Sequence, residues 1–195
     1  MPDSYRFMPL PLVGLTHAPQ LPSVQRTARP HDPAVTLFTD LHHSACVVAG
    51  HHDGLDQTLH LMMRAGVRMV FVSGADGSLI GMVSAEDIQG ERPVLHAATR
   101  RVSHHELTIA DVMVPLSQWP TVDMSVVRTS RLGDIAATLR DHGLRYLLVT
   151  QQKNGQTVLR GLFSARRLEM AMNITIEPGL HARTFAELEH DLAHH

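Results

Sequence analysis

The apolar residues of the chain follow two alternating periods. Leu55, Thr58, Leu59 and Met62 fall at i, i+3, i+4 and i+7, the spacing of one helix face, and Gly66 ends the pattern. Met69-Val70-Phe71-Val72 is then a continuous apolar run, which predicts a buried strand. A turn from Ser73 to Gly77 leads to Gly81-Met82-Val83-Ser84-Ala85, a second short strand running into a helix that begins near the serine.

Sliding the chain along itself until Leu55 falls on Leu132 reproduces this order. Leu132, Ile135, Ala136 and Leu139 form the second helix face, Gly143 ends it, and Tyr146-Leu147-Leu148-Val149 is the second buried run. A longer turn, Gln151 to Gly155, precedes Gly161-Leu162-Phe163-Ser164-Ala165, which overlays Gly81 to Ala85. The lead-ins also match, Val35 to Phe38 over Ala110 to Met113. The pattern predicts an α/β fold of two pseudo-symmetric β-α-β-β-α repeats, each with a lead-in helix and a three-stranded sheet. The repeats span residues 32–90 and 107–172, joined by a connector over 91–106 with room for a short helix. A proline-rich arm, 1–31, precedes them, and an extension, 173–195, follows, with a small helix expected from Phe185 to Leu192.

Composition narrows the class. In 195 residues, 44% are hydrophobic, enough for a packed core, and the net charge of −2 gives no general grip on nucleic acid. Cys46, the single cysteine, cannot form an internal disulfide, which suits a reducing compartment and points to the cytoplasm. Pro2, Pro9 and Pro11 break the N-terminus, and no apolar run reaches the roughly 18 residues of a membrane span. The expectation is a soluble protein that neither enters a membrane nor is secreted.

The repeat, together with Asp111-Val112-Met113-Val114-Pro115, the Gly-Val-Arg and Gly-Leu-Arg turns and above all Gly81-Met82-Val83-Ser84-Ala85-Glu86-Asp87, resembles the cystathionine beta-synthase (CBS) domain in tandem. The overall order is similar to small stand-alone bacterial CBS pairs. The resemblance implies a regulatory module that binds AMP, ADP, ATP or S-adenosylmethionine between the copies, acts on a separate effector protein and forms a homodimer. It implies Asp87 as acceptor for the ribose hydroxyls beside Ser84, Met82 lining the slot, Ser125 and Val126 on a strand facing the base, and Arg145 reaching the phosphate. Arg68, the counterpart of Arg145, stands just before the other buried strand, where a guanidinium can present paired donors to a phosphate. In the second copy Arg167 stands where the ribose-binding acid belongs, and an arginine cannot accept from a hydroxyl. One adenosyl site per chain, built on Asp87, is the expectation, with the pseudo-equivalent cleft empty or holding an anion.

Plainer readings compete. Ser84-x-x-Asp87 has the spacing of a helix capping box, and Arg68 and Arg145 fit solvated strand ends. Met62, Met63 and Met69 read as core filler. The chain carries no nucleophile elbow, Walker loop or dinucleotide fingerprint, so neither an enzyme nor a catalytic cofactor is expected. A homodimeric scaffold without ligand, its contact an apolar helix face starting at Leu132 or Leu168, is the main alternative. The 15 histidines, paired at 42–43, 51–52, 104–105 and 194–195, raise a metal-binding reading. Adjacent histidines chelate poorly alone, so no metal ligands are assigned from the sequence.

Overall fold

The computed structural model describes residues 9–12, 14, 17, 28–44 and 46–177. The arm before residue 28, those isolated residues apart, and the helix expected from Phe185 to Leu192 lie outside the described residues.

Each copy builds its elements from the periods read above. In the first, β2 (Val48–Gly50) leads to α1 (Leu55–Ala65), whose Leu55, Thr58 and Met62 are buried. Gly66 ends α1 at φ +66°, a left-handed conformation in which a Cβ would be strained. Next come β3 (Met69–Ser73), β4 (Leu79–Ser84) and α2 (Ala85–Gln89). In the second copy, β6 (Thr121–Asp123) runs into α5 (Met124–Thr129), followed by α6 (Leu132–Asp141), β7 (Tyr146–Lys153), β8 (Gln156–Ser164) and α7 (Ala165–Met172). The β7–β8 hairpin is the longer one and turns through Asn154 and Gly155, both at positive φ, as a tight right-twisted hairpin requires.

Two short lead-in strands change the expected topology. β1 (Thr39–Asp40), in the lead-in of the first copy, pairs antiparallel with β8, and β5 (Val114–Pro115), in the lead-in of the second, pairs with β4. Each sheet therefore has four strands, in the orders β2-β3-β4-β5 and β1-β8-β7-β6, rather than three. The exchange was hidden because two-residue strands have no hydrophobic period to read. The connector is more ordered than expected: α3 (Glu91–Arg100) and a 3-10 turn over His104–Glu106 fill most of it, before α4 (Ile109–Val112) opens the second copy.

Each copy has its own core, with Leu55, Met62, Val70 and Val83 in one and Leu132, Leu139, Leu147 and Phe163 in the other. A third cluster of Phe71, Met82, Leu148 and Leu162 joins the two sheets. Burying such side chains contributes about 1.5–3 kcal/mol each, which makes the copies one body. Leu132 and Leu168 are themselves fully buried in the second core, while Met170 on the same helix as Leu168 is exposed. Met63, by contrast, points outward at 70% exposure while Met62 is buried, so only one of the adjacent pair is core filler.

Candidate functional site

The cleft forms where the two copies face each other, because their chains reach it in matching ways. Arg68 precedes β3 and Arg145 precedes β7, and the carbonyl of each accepts from the first amide of the following α2 or α7, Ala85 N at 2.8 Å and Ala165 N at 2.9 Å. Both arginines are thereby fixed at the mouth of one cavity of about 650 Å³. That volume is in the range of small-molecule sites.

The cavity is amphipathic. Leu37, Leu41, Val47, Met69, Phe71 and Leu162 give it an apolar lining, while Arg68, Arg145, Arg166 and Arg167 set four guanidinium groups around it against one lining carboxylate, Glu86. Arg145 pairs with Glu169 at 3.4 Å, and Arg68 stands 3.9 Å from Glu86 in a loose, exposed contact. Arg167 donates to Thr39 Oγ1 at 3.0 Å, so it bridges α7 to β1. Arg166 makes no ion pair among the described residues and is free to meet a ligand. Tyr146 also lines the cavity; burial pushes its phenol above the ordinary value, Glu86 adds to this, and the positive charges of Arg68 and Arg145 oppose it. Cys46 completes the wall; the residue is exposed, and partial desolvation against the wall pushes its thiol up.

The residues expected from the sequence divide into two groups. Arg68 and Arg145 meet at this cavity, whereas Met82, Ser84, Asp87, Ser125 and Val126 do not line it. Met82 is at the centre of the inter-sheet cluster. Asp87 is engaged within the protein: its Oδ2 accepts from Ser84 N at 2.9 Å and Ser84 Oγ at 2.6 Å, its amide donates to Ser84 Oγ at 3.1 Å, and Arg92 stands 3.1 Å from its Oδ1. This is the capping box that the spacing allowed. Ser125 and Val126 are on α5 and exposed, not on a strand. Asp123 causes the difference: its carboxylate accepts from Ser125 N at 2.8 Å and Oγ at 2.6 Å and so caps a helix directly after β6. An Asp before the helical stretch was the available signal.

Counting back from the matched strands β2 and β6 sets Cys46 against Trp119, a contrast the sequence reading did not weigh. Trp119 Nε1 donates to Val114 O at 3.3 Å, and its ring meets Tyr146 edge-on with centroids 6.4 Å apart. The second copy thus carries an indole at the position where the first copy has the cavity-lining thiol.

The sequence model of the CBS domain matches residues 38–92. The chain carries a CBS domain. Its second half repeats that domain's elements in order, and the whole has the mixed α/β fold of CBS-pair proteins. An uncharacterized conserved protein from Pyrococcus horikoshii shares this fold at 16% identity and a TM-score of 0.51, over 77% of this chain and 98% of that one. CBSX2 of Arabidopsis thaliana, solved in complex with AMP, is 20% identical over 72% of this chain and 95% of its own, with a TM-score of 0.48. A conserved CBS-domain protein of unknown function from Thermoplasma acidophilum is 18% identical over 79% and 77%, with a TM-score of 0.47. No curated protein matches the chain by sequence. Among the described residues, no helix is long and apolar enough to cross a membrane.

Proposed function

We propose that this CBS pair is a regulatory module that binds an adenosyl nucleotide between its copies and acts on a separate effector protein, without catalysing a reaction. The observation that carries the reading is the amphipathic cavity: an apolar slot suits a purine, and four arginines at its margin suit a phosphate. AMP, ADP, ATP and S-adenosylmethionine are the ligands to compare, the last as a purine ligand without phosphate. Glu86 and the hydroxyls of Ser164, Thr39 and Tyr146 are lining groups able to accept from ribose hydroxyls, a task Arg167 cannot perform. Because both copies line the cavity, a ligand that binds one relative orientation more tightly shifts the population toward it, which is how a bound nucleotide would reach an effector.

Asp87 with Ser84, Met82, Ser125 and Val126 remains the second candidate position. Its carboxylate would have to exchange the Ser84 and Arg92 contacts for ribose hydroxyls. Calorimetric titration of the nucleotide-stripped full chain separates the positions. In the favoured arrangement Arg145→Ala and Arg68→Ala each weaken nucleotide binding about tenfold or more, while Asp87→Ala leaves it unchanged. Loss in Asp87→Ala with both arginine variants intact would move the site to the other side. Absence of binding by every adenosyl compound would leave the scaffold reading, which the exposed Met63, Val94, Leu95 and Met170 favour as surfaces for a homodimer or partner.

A further inference from the structure

The histidine pairs, unable to chelate alone, gain a third ligand from the fold at one place. Asp56, in the first turn of α1, faces His104 and His105 of the 3-10 turn that precedes the second copy. One ligand atom from each of the three lies within 4.8 Å of the other two, and His105 Nδ1 is 3.7 Å from Asp56 Oδ2. The His104 and His105 rings are nearly perpendicular, with centroids 6.1 Å apart, so the two imidazoles are not stacked.

The backbone holds this grouping on both sides. Gly54 and Thr108 form an antiparallel bridge, and Ile109 N donates to Asp53 O and Ala110 N to His51 O, both at 2.9 Å. Leu55 and Leu107, one and two residues from the ligands in sequence, are buried at 2% and 1% exposure and anchor the two segments in the first core. Ser103 and Glu106 cap the 3-10 turn, Glu106 Oε2 accepting from Ser103 N at 2.8 Å and from its Oγ at 2.7 Å. The segments are fixed while the three side chains stay exposed and able to rotate.

We infer that Asp56, His104 and His105 form a binding site for a divalent transition cation of the zinc class, with a fourth position open to water. Two imidazoles and one carboxylate suit such an ion, and bonds of about 2.0–2.2 Å set neighbouring tetrahedral ligands about 3.3 Å apart. The 3.7 Å separation is within a small side-chain rotation of that value. A bound ion would clasp the connector to α1 of the first copy, at a place none of the cavity-lining residues occupies.

Zinc is titrated into the tag-free full chain against a chromogenic chelator, and cobalt is used to report coordination by its visible spectrum. The expected result is one zinc site per chain that Asp56→Asn or His105→Ala weakens at least about tenfold. The His42→Ala/His43→Ala double variant and Cys46→Ser bind as the parent does, and cobalt shows the intense bands of a four-coordinate ion. The inference is overturned if Asp56→Asn and His105→Ala bind zinc as tightly as the parent. It is equally overturned if the His42/His43 double variant loses as much, which would mean diffuse uptake by scattered histidines. All substituted residues are exposed, so the variants retain the fold, and matched thermal transitions verify this.

Discussion

Arg160 and Asp40 are separated by 120 residues and form a two-pronged ion pair, Nη2 to Oδ2 at 2.8 Å and Nη1 to Oδ1, that ties the lead-in strand of the first copy into the sheet of the second. The pair is only 15% and 23% exposed, and the Arg160 guanidinium also stands 5.8 Å from the centroid of the Phe38 ring. Asp40→Ala would leave a mostly buried guanidinium without its partner. We expect a loss of about 3 kcal/mol, or about 6–12 °C in Tm for a chain of this size, measurable by calorimetry. A shift below about 2 °C would show that β1 is held by its backbone pairing alone.

The glycines that open the repeated motif are explained by the same exchange. A Cβ at Gly161 would collide with Thr39 O and the Phe38 ring, and one at Gly81 would meet Val114 O at 2.7 Å. Both glycines sit where a foreign lead-in strand crosses. Gly161→Ala should destabilise by about 3 kcal/mol and Gly81→Ala by about 1–2 kcal/mol. Denaturant midpoints of the two variants would test the order, and equal or negligible losses would refute it.

Cys46 is a built-in reporter of the cavity. Its thiol is the single one in the chain and lines the wall, so a saturating nucleotide in that cleft should slow its alkylation several-fold. Burial raises its pKa, which leaves less thiolate at neutral pH than a free cysteine has. The labelling rate should therefore climb about tenfold per pH unit and level off at a higher pH than for a model thiol. The linked stability is present below the unfolded thiol's pKa and is lost as pH rises through the raised folded value. Alkylation unchanged by bound nucleotide would place the ligand elsewhere.

Asp87→Ala should lower stability whether or not a ligand binds. It removes the Ser84 capping box and the contact to Arg92, with an expected loss of about 1–2 kcal/mol. Ser84→Ala should reproduce about half of that, and Arg92→Ala, itself half exposed, little. Thermal melts without ligand measure this, and an unshifted Asp87→Ala melt would mean the cap contributes nothing.

Much of the fold was legible because its long elements obey simple periods. The face of Leu55, Thr58 and Met62, its copy at Leu132, Ile135 and Leu139, and the two buried hairpins all stand where their spacing put them, since burial selects residue type at every third or fourth helical position and along a whole inner strand. The capping box of Ser84 and Asp87 was likewise local, as was the arginine at position 167. Contacts between distant segments left no such trace. The exchange of β1 and β5, the helix that carries Ser125 and Val126, the gathering of Arg68, Arg145, Arg166 and Arg167 on one cavity, and the approach of Asp56 to His104 and His105 depend on the two copies and their connector packing together. A sequence records which residues prefer burial or a helix end; which charged side chains then share one cleft is set by the relative placement of whole elements, and only the tertiary structure decides that.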